Sequence, residues 1–565
     1  MSETAAGRGA AARGPSRGGA QGPWLLAATF AVAVSGLVYE LIAGAAASYL
    51  LGDSVAQFSL VIGLFMSAMG LGAYLSRYVE DAERGFALSQ IALGLVGGFS
   101  APALFLAYGW LSTFEPLLVG LVVAIGALSG LEIPLVTRLL EREGALRTTL
   151  SSVLTADYAG ALAAALAFPV LIVPHLGLTS ASLVFGAMNL AVAGLSLWLF
   201  RRSLGWGTRA LWAGALAACL TGFVFSERLV SAADAGLYED EVILSEETPY
   251  QRIVVTRSAA RTRLFLDGAI QFDTLDEHRY HEALVHPAMG LAPRRARVLI
   301  LGGGDGMAAR EALRWRDVEE VVLVDLDPRV TGLFRTRDDL AALNGRSLSD
   351  PRVRVINADA WTWLEDAATG RNARTAFVAP DGAPFDRAPD GAPFDRVPEV
   401  APFDVASGEV PFDVAILDLP DPSSLEVSKL YSRAFYRRLV RVMSANGVIV
   451  AQAGSPLFAR RAFWSIVRTL GETANPARPD ARLGATAYHA YVPSFGDWGF
   501  ALAGLGAMRE TPATPPGGLR FYAPALWPAM TRFPADTGPV EAEANTLHTH
   551  ALVGYYEEGW AHWFR

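Results

Sequence analysis

The chain has 565 residues, enough for two or three domains, and its 52% hydrophobic content and mean hydropathy of +0.30 are high for a soluble protein. The net charge of −9 argues against nucleic acid as the main partner and is compatible with cationic substrates. A single cysteine, Cys219, excludes an intramolecular disulfide and argues against a thiolate metal site.

Residues 1–23 carry Arg8, Arg13 and Arg17 among Gly, Ala and Ser, which predicts a disordered basic leader, not a cleaved signal. Apolar segments then recur at about 24–45, 55–76, 87–109, 115–137, 151–173, 179–200 and 208–225. Each approaches the roughly 20 residues that a helix needs to cross a bilayer, so residues 24–226 are expected to form a transmembrane domain of about seven helices. Arginines follow alternate spans, at Arg77 and Arg84, at Arg138, Arg142 and Arg147, and at Arg201, Arg202 and Arg209. The connections near residues 52, 112 and 175 have no Lys or Arg, which places the N-terminus in the cytoplasm of a multi-pass cell (inner) membrane protein. Seven complete crossings then put the C-terminal half outside, whereas supply of a cytosolic nucleoside favours the cytoplasmic face. A re-entrant or interfacial segment reconciles the two, and the seventh, rich in Ala and Gly, is the weakest span. Three acids interrupt the apolar runs, Glu40, Glu132 and Asp157. They are read either as a cation pathway or as packed polar contacts between helices.

From about residue 245 the pattern turns to strands. Residues 227–295 predict a small β-region, with Tyr250–Val255 and Thr262–Phe272 forming a hairpin region turned by Asp267-Gly268. A helix follows from Asp276 to Met289, carrying Glu277, Tyr280, His281 and Glu282. Residues 296–510 predict a Rossmann-like domain, and residues 511–565 a C-terminal extension. Val298–Leu301 is an apolar run ending in Gly302-Gly303-Gly304-Asp305-Gly306, and a second run, Val321–Val324, ends in Asp325. Strand, tight turn, helix and second strand make one nucleotide-binding βαβ unit. Gly302, Gly304 and Gly306 allow positive φ and close backbone approach, and Asp325 stands where a carboxylate grips two ribose hydroxyls. A purely structural turn is the competing reading of the glycines. Asp305 would repel a pyrophosphate but suits a cationic sulfonium nucleoside bearing an amine, which favours an S-adenosyl compound over NAD. A third strand, Val353–Ile356, leads to Asp359-Ala360, a fourth, Phe412–Leu417, to Asp418, and a fifth is Gly447–Gln452.

Asp418 and Asp421 face the same crevice as Asp305 and Asp325. One such acid reads as a cap or a turn, but four at strand ends suit a polycation and a proton acceptor for an attacking amine. His278 and His281 are three apart on a helix and resemble metal ligands only superficially. A surface place for His278 and a pocket role for His281 fit better, with no metal, since a sulfonium is already an activated electrophile.

Gly303–Gly306, Asp267-Gly268-Ala269-Ile270-Gln271, Asp276–Glu282 and Leu417–Pro422 together resemble the polyamine aminopropyltransferases, or spermidine synthases. The membrane-fused branch is similar over nearly the whole chain, through Gly36–Glu40, Gly63–Gly70, Lys429–Ser432 and Val492–Phe500. The fold so implied is a multi-pass α-helical membrane domain, then an α/β Rossmann-like domain of the class I methyltransferase type. The resemblance implies that Gln251 contacts the nucleoside, that Tyr280 and His281 line the amine pocket, and that Asp305 binds the aminopropyl amine. Asp325 stands where the family usually has Glu for the ribose; Asp359 and Ala360 would meet the adenine. Asp418 would accept the proton and Asp421 anchor the diamine, while Leu419 and Pro420 replace the small hydroxyl residues common in soluble members. The expected reaction transfers an aminopropyl group from decarboxylated S-adenosylmethionine, a co-substrate, to putrescine, with no permanently bound cofactor. The bilayer and further copies of the chain, in a homodimer or homotetramer, are the other expected partners. Rival readings are a polyamine transporter or sensor with a ligand-binding domain, and a small-molecule methyltransferase, which Asp305 disfavours.

Within a disordered insert expected at 371–410, a nine-residue unit beginning at Pro380 recurs at Pro389, Pro398 and Ser407, each copy containing Pro-Phe-Asp. Only the last copy runs into a strand, so the others read as duplications of that strand's entrance and as a flexible surface loop. Loop closure costs only about 0.6 kcal/mol per doubling of length, so such a duplication persists without a role. Deleting Pro380–Ala406, three complete units, is expected to leave expression, nucleoside affinity and turnover near the parent values. Lost turnover in a folded deletion variant would instead make the repeat a lid.

Overall fold

The computed structural model describes residues 22–51, 54–110, 115–141, 146–226, 238–369, 411–476 and 478–564. The expected leader, apart from Gly22 and Pro23, and the repeat up to residue 410 lie outside the described residues. The chain forms two compact units, Met1–Glu239 and Asp240–Arg565.

In the first unit, among the described residues, seven helical stretches are long and apolar enough to cross a membrane: Gly22–Ser48, Gln57–Tyr78, Ala82–Tyr108, Glu115–Leu140, Thr149–Ile172, His175–Leu199 and Trp206–Val224. Their cores are aliphatic and aromatic, built on residues such as Val32, Ile42, Phe86 and Leu135. Small residues let two of these helices pack closely. A Cβ on Gly72 would lie 2.0 Å from the Ala127 carbonyl oxygen, and one on Gly130 would lie 2.1 Å from that of Met69. Only glycine lets these two helices approach so closely. Polar groups turn inward: Asn189 Nδ2 donates to the Tyr39 hydroxyl at 2.7 Å, and Glu132 is buried. Glu40 and Asp157 are half-buried.

The second unit opens with four antiparallel strands, β1 (Glu241–Glu247), β2 (Arg252–Arg257), β3 (Thr262–Leu266) and β4 (Ala269–Asp273). Asp267 and Gly268, at φ 49° and 79°, form the two-residue turn between β3 and β4. The main sheet contains β5 (Arg297–Gly302), β6 (Glu320–Asp325), β7 (Val353–Asn357), β8 (Phe412–Asp418) and β9 (Met443–Gln452). A two-stranded sheet, β10 (Ala474–Asn475) with β11 (Arg478–Arg482), precedes β12 (Thr486–Val492) and β13 (Gly496–Gly504). The order of the main sheet is β12-β13-β9-β8-β5-β6-β7, with the five strands from β9 to β7 parallel and β13 antiparallel to β9. This is the Rossmann-like arrangement expected, closed at one edge by a hairpin.

Parallel strands covered on both faces read as unbroken apolar runs, and alternate residues serve opposite faces. Val298 and Ile300 pack on one face, with the Glu277–Leu291 helix contributing Leu284 and Met289. Leu299 and Leu301 pack on the other, against Trp363, Phe435 and Phe463. The chain order reverses between β5 and β8, so a crevice opens at their C-terminal ends.

Candidate active site

The turn after β5 is shaped by contacts that a side chain would destroy. Gly302, Gly303 and Gly306 have φ of 81°, 66° and 77°. Gly304 has no positive φ; its requirement is space, because a Cβ there would lie 2.7 Å from the Asp325 carboxylate. In place of that side chain, the Gly304 N–H donates to Asp325 Oδ2 at 3.0 Å, and the Asp327 N–H donates to Oδ1 at 2.9 Å. Burial nevertheless pushes the Asp325 carboxyl up to about 7, with the Asp327 charge adding to it and these two N–H groups opposing. Asp305, also buried, accepts from the Met307 N–H at 2.8 Å and so begins the helix Met307–Leu313.

Gly302 pairs with Asp418 across β5 and β8, and a Cβ on Gly302 would stand 2.1 Å from the Asp418 carbonyl oxygen. The glycine turn therefore lies directly against the end of β8. Tyr280 donates its hydroxyl to Asp418 Oδ1 at 2.7 Å, while Oδ2 faces Gly303, 3.1 Å from where a Cβ would be. Burial raises the Asp418 carboxyl to about 6; the His281 charge and the Tyr280 hydroxyl lower it and the Asp305 charge raises it. Tyr280 itself is wedged edge-on against His281 and Phe495, with centroids 5.0 and 5.6 Å away.

His281 is fully buried, and its Nδ1–H donates to both the carbonyl and a carboxylate oxygen of Glu277, each at 2.9 Å. Burial alone would lower this imidazole, but Glu277, with the charges of Asp305 and Asp418, raises it to about 9. Glu277, although burial acts the other way, is drawn down to about 2 by His281 and Arg310. Arg310 donates to Glu277 Oε2 at 2.8 Å and to Glu311 Oε1 at 2.8 Å, and Glu311 meets His286 Nε2 at 3.0 Å. Asp418 therefore faces a buried imidazolium that is held by its own counter-ion.

On the far side of Asp418, Asp421 is ringed by donors. Gln452 Nε2 reaches Asp421 Oδ1 at 3.3 Å as well as the Leu419 carbonyl and the Tyr431 hydroxyl, both at 2.7 Å. Tyr556 donates to Asp421 Oδ2 at 2.9 Å. Burial raises the Asp421 carboxyl to about 6, against the pull of Tyr556 and Gln452.

Of the other expected residues, Gln251 donates to Asp327 Oδ2 at 3.1 Å, and Thr248 donates to the same oxygen at 2.8 Å. Asp359 caps its own helix, accepting from the Thr362 hydroxyl at 2.9 Å, and Ala360 is buried beside it. His278 is half-buried rather than on the surface. Among the described residues no three His, Cys, Asp or Glu side chains gather as metal ligands would. Sequence reading missed Glu277 as a charge partner, Arg310, Asp327, Gln452, Tyr431 and Tyr556. The acid beside Tyr280-His281 at helical spacing was the one available signal, since residues four apart share a helix face.

Residues 277–381 and 404–502 match the family described as "Spermine/spermidine synthase domain". The chain is 44% identical over 547 residues to polyamine aminopropyltransferase 2 of Ralstonia nicotianae, covering 95% of this chain and 98% of that protein. It is 40% identical over 528 residues to the polyamine aminopropyltransferase of Leptospira interrogans, covering 93% and 96% of the two chains. A solved spermidine synthase from Thermotoga maritima aligns with a TM-score of 0.39 and 21% identity over 52% of this chain and 85% of that one.

The Glu277–His281 pair makes stability depend on pH with a definite sign. Because His281 is raised above its ordinary value of about 6.5, its contribution is complete below that pH and is lost as pH rises through about 9. Glu277→Gln is expected to cost about 3 kcal/mol near pH 6.5, as loss of one partner of a buried ion pair does. The gap in thermal midpoint between parent and variant should narrow from pH 7 to pH 10. A constant gap would mean that His281 is neutral throughout.

Proposed function

This chain belongs to the spermine/spermidine synthase family of polyamine aminopropyltransferases, and from that premise we propose how its site transfers an aminopropyl group. The donor is decarboxylated S-adenosylmethionine and the acceptor putrescine; the products are spermidine, 5′-methylthioadenosine and a proton. The nucleoside lies against the turn of Gly302, Gly304 and Gly306, with Asp325 on the ribose and Gln251, Asp359 and Ala360 on its other edges. Gln251 acts there together with Asp327, its hydrogen-bond partner. Asp305 holds the aminopropyl ammonium.

The observation that carries this reading is the placement of Asp418, paired with Gly302 at the end of β8 and tied to the Tyr280 hydroxyl at 2.7 Å. A primary amine resembles lysine, ionising near 10.4, and must be freed of its proton before it attacks carbon. Asp418, at about 6, is ionised at neutral pH and is near the range suited to a general base. Its Oδ1 is tied to Tyr280, which leaves Oδ2, on the glycine-turn side, to take the proton. As the amine nitrogen bonds to the methylene next to sulfur, the carbon–sulfur bond breaks and the pair of electrons leaves with a neutral thioether. Catalysis then rests on orientation and on fixed charges in a partly dry crevice. Tyr280 and His281 line the acceptor channel, and Asp421 takes the amine that does not react.

For the first unit, insertion in a bilayer is the reading best supported. Met66, Tyr158, Leu162 and Leu166 are 65, 69, 61 and 67% exposed, while Gln90, Glu132 and Asn189 are 0, 3 and 0% exposed. Apolar residues outside and polar ones inside is the pattern that lipid favours.

Two substitutions separate the roles. Asp418→Asn is expected to cut turnover at least about 100-fold while affinity for methylthioadenosine persists; near-normal turnover would remove Asp418 as the base. Asp305→Asn retains an oxygen for the Met307 N–H. It should weaken the decarboxylated donor far more than methylthioadenosine, which lacks the amine. Equal loss of both would make Asp305 a purely structural cap.

A further inference from the structure

Asp421 is completed by a residue from far along the chain. Tyr556 lies on the Ala551–Phe564 helix, some fifty residues after the synthase-domain match ends at 502. The helix is seated with little freedom. Gly559 lies so close to the segment after β9 that a Cβ would meet Ala459 Cα at 2.6 Å and the Phe458 carbonyl oxygen at 2.7 Å. Trp560 and Trp563 flank Phe458 at centroid distances of 5.2 and 5.7 Å, Leu552 is fully buried, and Arg461 pairs with Glu558 at 2.7 Å.

A carboxylate oxygen can only accept, so the Tyr556 hydroxyl proton points to Asp421 Oδ2, where the 2.9 Å contact is found, and the Trp560 ring packs against the Tyr556 ring at a centroid distance of 5.9 Å. Gln452 donates to Oδ1, so each oxygen of the carboxylate has its own donor. A carboxylate without such donors would rotate, or take up a proton, in a site this buried.

We propose that Tyr556 is a positioning residue for the acceptor, its hydroxyl fixing Asp421 to receive the amine remote from the reacting centre. The C-terminal helix is then a component of the amine pocket and not an appendage. The proposal rests on the aminopropyl-transfer reading above, and it adds a determinant of acceptor affinity that lies outside the synthase-domain match.

The test compares the intact chain in detergent with Tyr556→Phe, which keeps the ring in place, and with Trp560→Phe. With putrescine as acceptor, Tyr556→Phe should raise the KM for the diamine roughly 10-fold, the effect of losing a hydrogen bond to a charged group. Its kcat and its affinity for methylthioadenosine should stay near the parent values. The acid limb of kcat/KM for putrescine should move to higher pH, because a donor that favours the carboxylate is gone. Trp560→Phe should shift the KM in the same direction by less. An unchanged KM and pH limb would overturn the proposal. So would a parallel loss of kcat and methylthioadenosine affinity, which would reveal general loosening. If the intact chain makes no spermidine from putrescine, the functional reading fails first and takes this inference with it.

Discussion

Like charges resist being gathered. Two carboxylates about 6 Å apart repel by roughly 3 kcal/mol at an effective dielectric of 20, and this site collects Asp305, Asp325, Asp418 and Asp421 at the ends of three strands. Each carboxylate has a donor placed on it. Gly304 and Asp327 give N–H groups to Asp325, Met307 gives one to Asp305, Tyr280 gives its hydroxyl to Asp418, and Tyr556 with Gln452 serves Asp421. His281 adds a positive charge, and Glu277 with Arg310 behind it keeps that charge in place. Much of the local hydrogen bonding follows from the need to keep acids together.

Those donors do not fully compensate. Asp325, Asp418 and Asp421 remain raised to about 7, 6 and 6, mainly by burial. Sites that prefer protons in this way also prefer any other cation that enters. A sulfonium, an aminopropyl ammonium and a diamine each bring positive charge, so their arrival lowers these values again and is coupled to proton release. The same linkage disfavours a donor carrying an extra carboxylate, which would add a charge where the repulsion is already greatest.

What was legible in the sequence was what local pattern dictates. Val298–Leu301 reads as a buried strand because both faces of a parallel sheet are covered, and the split of its residues between two cores bears out that reason. Gly302–Gly306 and the strand-end acids were legible because each sits at a fixed offset from a strand. The seven apolar stretches were legible because length and hydropathy suffice. Contacts made across long separations left no such mark. Gln452 meets Tyr431 and Asp421 across 21 and 31 residues, Tyr556 meets Asp421 across 135, and Asn189 meets Tyr39 across 150. Gln251 was singled out through resemblance, but its hydrogen-bond partner Asp327 was not, since an Asp before Pro328 reads as nothing more than a helix cap.

The place of the nine-residue repeat follows from strand geometry. Strand β8 runs from Phe412 to Asp418 between β5 and β9, so the repeat joins it at the end opposite the crevice. At about 3.3 Å per residue, its attachment lies roughly 20 Å from the Asp418 end of the strand. The helix that precedes the repeat, Ala360–Thr369, starts beside Asp359 at the crevice end and leaves by its C-terminus. The synthase-domain match breaks at 381 and resumes at 404, inside the repeat. The anchor on the strand side, Pro411, thus lies at the end of β8 away from Asp418. There the length of a connection is constrained only by closure entropy, which grows slowly. An insertion of the same size within Gly302–Gly306 would instead break the turn whose Gly304 N–H meets Asp325.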